Sequence, residues 1–355
     1  MADNTDLPAR QVVSPRGPLL LASCRSAMSF VRRIVEQYRG LPSIRETQSD
    51  IVPLEDIDWS FHDSEICVRL THMVNGYDVF LFQSLFDPTS ERSVNDNYAA
   101  ALMAARTLRE HGATHVTAVF PYLAYSRQDK PTAYRREPTT ARLMADVSIA
   151  AGIDRLLTWH VHSPQVRGFY GAVPVNMLDQ TRLFVEHWRR FKGMDDTLVV
   201  APDLGASKAA TMVAGELELD AAVGVKLRQT PDEVNITQLI GGFQNKTRAL
   251  IIDDILSTGG TIHALTDRLV GEQNIHEILV AVSHNLCTAH ARDRLLDLYN
   301  RGHLKQLMVT DSIPQTREFM SLPFVQVQSL ADRFARAVNR LHYARSLSAA
   351  FGRGR

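Results

Sequence analysis

Two aspartates, two glycines and three hydroxyl side chains stand almost shoulder to shoulder at Asp253, Asp254, Ser257, Thr258, Gly259, Gly260 and Thr261. The apolar run 249–252 leads into the acids, and the helix-like segment 262–272 follows the glycines. That order predicts a strand, a short loop and a helix N-terminus. The free amides at such a terminus, with the positive end of the helix dipole, make an anion site. Gly259 and Gly260 allow the backbone a close approach to a phosphate. Thr258 and Thr261 add hydroxyl donors, and Asp253 and Asp254 can accept from sugar hydroxyls or hold a cation. Phosphate donors beside paired acceptors suit a sugar phosphate. The spacing is neither that of a P-loop nor that of a dinucleotide fingerprint. An ordinary strand–helix turn is the competing reading, and the contiguity of acids, threonines and glycines weighs against it.

Further segments carry charge after predicted strands. Arg127, Gln128, Asp129 and Lys130 follow the run 120–126, with Arg135 and Arg136 beyond them and a helix start at Glu137, Pro138 and Thr139. Such a loop can clamp a polyphosphate, although charges alone also describe a solvated loop. Asp203 and Gly205 end the run 197–201. An aspartate there can serve a cation or cap the next helix. Lys226 and Arg228 end another apolar run and, two apart in a strand, share one face. Read alone they are a solvated strand end; the polar stretch 229–235 behind them suits a lid. His160 and His162 also lie two apart in a predicted strand, 155–161 with its continuation, and should project together. A histidine so placed is most simply a structural hydrogen-bonder.

Those residues need a scaffold. Candidate strands at 19–22, 78–83, 115–120, 155–161, 197–201, 248–253, 277–283, 306–310 and 324–327 alternate with helical patterns at 26–39, 95–111, 139–151, 206–217 and 331–345. The expectation is an α/β fold of two similar domains, each a mainly parallel sheet flanked by helices. A boundary is expected at the turn 171–174. The predicted division is a disordered extension at 1–18, an amino-terminal domain at 19–172 joined by a carboxyl-terminal helix at 330–348, and a second domain at 173–329. With 355 residues the chain is long enough for two cores. The 39 basic and 39 acidic residues give a formal net charge of +0, which argues against nucleic acid and membrane surfaces as partners. Three scattered cysteines suggest no disulfide framework. No apolar run reaches the roughly 20 residues of a membrane span, and the first residues lack a signal-peptide core. A cytoplasmic location is expected.

The segment 253–261 resembles the phosphoribosyl-pyrophosphate loop of the type I phosphoribosyltransferase fold. The run Pro121, Tyr122, Tyr125, Arg127, Gln128 and Asp129 is similar to the Pro-Tyr-x-x-Tyr-x-Arg-Gln-Asp segment of the ribose-phosphate pyrophosphokinases. From there the likeness extends over roughly 55–330. Phe61, Asp63 and Glu65 resemble that family's adenine loop, which works across a subunit interface, and Asn95, Asp96 and Asn97 resemble its helix start. His162 falls at the family's magnesium–ATP histidine, Asp203 near its magnesium and ribose, and Lys226 and Arg228 at the mouth of its catalytic loop.

The resemblance implies transfer of the diphosphoryl group of ATP to the 1-hydroxyl of ribose 5-phosphate, with Mg2+ as cofactor and AMP as the other product. Lys226 and Arg228 would be catalytic. Phe61, Asp63, Glu65, Arg127, Gln128 and Asp129 would bind ATP. Asp253, Asp254, Ser257, Thr258, Gly259, Gly260 and Thr261 would bind ribose 5-phosphate, and His162 and Asp203 would serve the metal. A homo-oligomer with its ATP site near a subunit interface is implied. Three positions depart from the pattern. Ser257 stands where many members have a third aspartate, Ser64 replaces a glycine, and His160 replaces an aspartate. His160 would either shift metal preference toward softer ions or merely orient its neighbour. Two other readings stand beside the main one, a phosphoribosyltransferase and a catalytically silent regulatory homologue.

Overall fold

The computed structural model describes residues 14–41, 51, 53–228 and 234–348, and no side chain from 226 to 235. The chain opens with β1 (Leu19–Ser23) and α1 (Met28–Arg39), then a hairpin of β2 (Asp58–Ser60) and β3 (Ile66–Val68). Next come β4 (Asp78–Phe82), α2 (Val94–Glu110), β5 (His115–Phe120), α3 (Thr140–Ala150), β6 (Arg155–Thr158) and β7 (Val175–Met177). Strands β1, β4, β5, β6 and β7 lie side by side in that order, all parallel. Every residue of β4 is buried, as expected of a parallel strand covered by helices on both faces. Helix α2 starts at a reciprocal cap, Ser93 with Asp96, just ahead of the asparagines singled out in the sequence.

A second sheet follows α4 (Thr181–Trp188). It comprises β8 (Thr197–Ala201), β9 (Asp220–Arg228), β10 (Val234–Ile240), β11 (Arg248–Leu256), β12 (Glu277–Asn285), β13 (Leu304–Thr310) and β14 (Val325–Gln328), in the order β10-β9-β8-β11-β12-β13-β14. Only β10 is antiparallel to its neighbour. Helices α5 (Ser207–Leu217), α6 (Gly260–Gln273), α7 (Ala291–Asn300) and α8 (Arg317–Met320) connect these strands. The last helix, α9 (Ala331–His342), returns to the first sheet, where Phe334 meets Phe30 of α1 edge-on at 5.4 Å. One apolar cluster joins Leu21, Phe30, Phe82, Trp188, Val199, Leu250 and Phe334, so the two sheets share a core. No helix among the described residues is long and apolar enough to cross a membrane.

Three local readings shift. Strand β7 pairs with β6, so the chain leaves the first sheet after Met177 rather than at the 171–174 turn. Three residues with a central asparagine show no usable periodicity. Strand β6 ends at Thr158, which leaves residues 159–163 as a loop and removes the expected common face of His160 and His162. The last part of the predicted extension is seated: Ser14 is buried, and its hydroxyl donates to the His342 carbonyl at 2.8 Å. Residues 1–13 lie outside the described set.

Asp78, buried at the start of β4, ties that seating together. Its Oδ2 lies 2.8 Å from Nδ1 of His342, and its Oδ1 lies 3.5 Å from Nδ1 of His115. Burial alone would raise this carboxyl, but the bonds to His115 and His342 outweigh it and hold the group below the ordinary aspartate range. A carboxyl depressed in the folded state stabilises above its unfolded pKa of about 3.9 and loses that contribution as pH falls through the folded value. Asp78→Asn should therefore destabilise the protein at neutral pH by about 3 kcal/mol, the usual scale for breaking a buried pair. Urea unfolding of both proteins at descending pH should show the deficit shrinking in acid. A deficit constant with pH would detach this stability from the Asp78 charge.

Candidate functional site

The site opens where β8 leaves β11. The pairing of β11 with β8 ends at Ile251 and Val200, while β11 stays paired with β12 through Leu256 and Asn285. Asp253 and Asp254 thus sit within a strand flanked on one side only, with side chains on opposite faces. The acids were expected at the strand's end. The strand continues past them because β12 still satisfies its backbone.

Across the gap stands the 159–163 loop of the first sheet. Nδ1 of His162 lies 2.5 Å from Oδ2 of Asp254, 92 residues away in the chain. The bond to Asp254 raises the His162 pKa above the ordinary imidazole value. Burial would raise Asp254, but the His162 bond and charge prevail and hold it well below the carboxylate range. Asp253 moves the other way, pushed up by burial and by the charges of Asp254 and Asp203. One carboxylate is therefore charged against an imidazole while its neighbour holds its proton more tightly. Arg127 lies close enough to act electrostatically on both His162 and Tyr122.

Other predicted residues have visible duties. Asp203 Oδ1 accepts from the Ala206 amide at 3.2 Å, closing the turn ahead of α5. Asp129 Oδ2 accepts from the Ser163 hydroxyl at 2.7 Å, so its carboxylate braces the loop that carries His162. Gln128 anchors its segment through the backbone, its carbonyl accepting from the Ala141 amide at 3.1 Å. Lys226 and Arg228 lie on β9, two apart, and their side chains fall outside the described residues, as does the connection 229–233. Phe61, Asp63 and Glu65 occupy the tip of the β2–β3 hairpin. The Phe61 amide donates to the Glu65 carbonyl at 2.8 Å, and Asp63 Oδ1 accepts from the Glu65 amide at 3.1 Å. Phe61 is 51% exposed. Among the described residues, no hydrogen bond or ion pair joins this tip to the His162–Asp254 junction. Ser64 adopts a φ of +76°, the left-handed conformation that a glycine would take more easily.

The loop after β11 is held from behind. Ser257 Oγ meets Thr288 Oγ1 at 3.1 Å, and the Thr288 amide donates to the Ser257 carbonyl at 3.0 Å. Arg294 Nη1 donates to the Thr258 carbonyl at 2.8 Å. Gly259 has a φ of +74°, and a Cβ there would come within 3.3 Å of the Ala291 Cα. Gly260 and Thr261 open α6 after its N-cap Gly259, and the first amides of a helix have no partner within it. Thr288 and Arg294 were missed in the sequence. Their signal is purely long-range, since nothing near them in the chain marks them as props for a loop that precedes them by more than a helix.

The profile of the N-terminal domain of ribose phosphate pyrophosphokinase matches residues 20–152. A ribose-phosphate pyrophosphokinase from Marinomonas sp. (strain MWYL1) is 36% identical over 293 residues, 82% of this chain and 89% of that protein. One from Mycoplasma pneumoniae is 36% identical over 274 residues, 77% and 80% of the two chains. The chain belongs to the ribose-phosphate pyrophosphokinase family. Among solved structures, phosphoribosylpyrophosphate synthetase from Mycobacterium smegmatis aligns with a TM-score of 0.78 at 26% identity, covering 91% of this chain and 98% of that one. The protein is accordingly an enzyme with a type I phosphoribosyltransferase-like fold.

The His162–Asp254 contact can be read in solution. With Asp254→Asn, the His162 ring loses the bond to a charged carboxylate that raises its pKa, so its NMR titration should move downward. An unchanged titration would mean that the two residues do not meet.

Proposed function

We propose that the protein transfers the diphosphoryl group of ATP to the 1-hydroxyl of ribose 5-phosphate, giving 5-phosphoribosyl 1-diphosphate and AMP. The observation that carries this reading is the junction of His162 and Asp254. It joins the loop nearest the Arg127 segment to the strand that runs into the phosphate-sized loop. Two substrates bound on the two sides of that contact would meet there.

The division of labour follows from position. The amides of 259–261 and the hydroxyls of Ser257, Thr258 and Thr261 would hold the 5-phosphate, in the water-poor setting where preorganised donors act most strongly. Asp253 and Asp254 would take the ribose hydroxyls. Asp254 Oδ2 also meets His162. Arg127 and Gln128 would hold the triphosphate, with Asp129 acting through Ser163. The exposed tip of Phe61, Asp63 and Glu65 would reach the adenine bound to another subunit of a homo-oligomer. Lys226 and Arg228 would neutralise charge at the β-phosphorus as the 1-hydroxyl attacks it and the bond to the α-phosphate oxygen breaks. Residues 19–180 with α9 would form the ATP-side domain, and residues 181–329 the ribose-phosphate domain. We place the reaction in the cytoplasm.

The residues present fit a magnesium ion. Asp203 and Asp254 crowd Asp253 with negative charge that a cation would relieve. Among the described residues no three His, Cys, Asp or Glu side chains are grouped to hold a metal by themselves. His162 and Asp203 would hold it. The ion bound there would supply positive charge against the triphosphate.

Incubation with ATP, ribose 5-phosphate and magnesium should yield AMP and the diphosphorylated sugar in equal amounts. Chromatography that found ADP and a ribose bisphosphate would overturn the assignment, and no turnover would favour a silent homologue. Lys226→Ala should lower kcat by about 10²–10³ with little change in KM, the scale of losing one donor that acts in the transition state. Near-normal kcat in that variant would return Lys226 to a solvated strand end.

A further inference from the structure

Behind His162 lies a buried polar chain that the reaction itself does not use. His284, on β12, is 1% exposed. Its Nε2 lies 2.6 Å from the His160 carbonyl oxygen, and its Nδ1 lies 2.9 Å from Ser312 Oγ. A carbonyl only accepts, so Nε2 carries the proton and donates to it. The neutral ring then leaves Nδ1 to accept from the Ser312 hydroxyl. Burial keeps the ring neutral by lowering its pKa to about 4.

The chain continues away from the site. Thr310 Oγ1 donates to the Ser283 carbonyl at 2.5 Å, and the Ser283 hydroxyl donates to Oε1 of buried Gln180, in the link between the two sheets. The Tyr122 ring, from the segment that leads to Arg127, packs 5.1 Å from the His284 ring. Across the sheet, His284 pairs in register with Ile255, the residue after Asp254. His284 is thus fixed to the strand pair that carries Asp254, and it grips the loop that carries His162.

We infer that His284 is a positioning residue, whose Nε2–H bond to the His160 carbonyl sets the 159–163 loop at the separation from β11 at which His162 meets Asp254. It touches no reacting atom and acts through His162. A buried hydrogen bond suits this duty, because it has a preferred length and direction where an apolar contact would slide. The inference rests on the proposed role of His162 on the triphosphate side.

The test is a double-mutant cycle with steady-state kinetics for each substrate. His284→Leu should lower kcat/KM for magnesium–ATP by about 10–100-fold, the scale seen when a group that orients a binding side chain is removed. KM for ribose 5-phosphate should change by less than about twofold. His284→Gln, whose amide can still donate to the His160 carbonyl, should recover most of the loss. In a His162→Ala background, His284→Leu should cost little more, because the residue through which it acts is already gone. If His284→Leu fails to fold, His284→Asn, too short to reach the carbonyl, replaces it in the cycle with the same expectation. Equal losses for both substrates, or losses fully additive with His162→Ala, would overturn the inference. A His162→Ala enzyme with unaltered ATP dependence would instead overturn the reading of His162 on which it rests.

Discussion

The site depends on one contact between sheets, the imidazole of His162 against the carboxylate of Asp254. Neither residue is held by its own chain neighbourhood alone. His162 rides on a loop past the end of β6, and Asp254 sits where β11 has lost one flanking strand. Their separation is set by the shared apolar core, by α9 packed on α1, and by the buried polar link through His284. The charge pattern follows from that separation. The imidazole holds Asp254 below the carboxylate range, while burial and the charge of Asp254 raise Asp253.

The loop after β11 shows the same logic. A phosphate cradle needs amides that point one way and stay there. Gly259 supplies the left-handed turn that a side chain would resist, and a Cβ there would press on Ala291 at 3.3 Å. Thr288 and Arg294 hold the carbonyls of Ser257 and Thr258 through hydrogen bonds. Ser257 finds its partner in Thr288. Its hydroxyl is a tether as well as a candidate donor.

Most of the scaffold was legible because parallel strands buried on both faces read as short, mainly apolar runs, as β5 and β8 do. Strand β7 and helix α4 were not legible. The first is three residues long, and the second is amphipathic but sits between two sheets. The end of β11 was misplaced because two aspartates look like a terminator, whereas β12 keeps pairing beyond them. Of the candidate site, the residues that stand together in the chain could be read, namely the 253–261 loop and the Arg127 segment. The pairing of His162 with Asp254, the props Thr288 and Arg294, and the grip of His284 could not, because each is a contact between distant segments with no local pattern. Ser64 could be read as a glycine position from the resemblance, and its φ of +76° is what that position demands.

The most direct measurement of the central claim is a crystal structure of the protein with magnesium, ribose 5-phosphate and a non-hydrolysable ATP analogue. The account predicts the 5-phosphate on the amides of 259–261 and the triphosphate beside Arg127 and His162, with the 1-hydroxyl in line with the β-phosphorus above the Asp253–Asp254 pair. A sugar phosphate bound away from the 257–261 loop, or a triphosphate remote from His162, would contradict it.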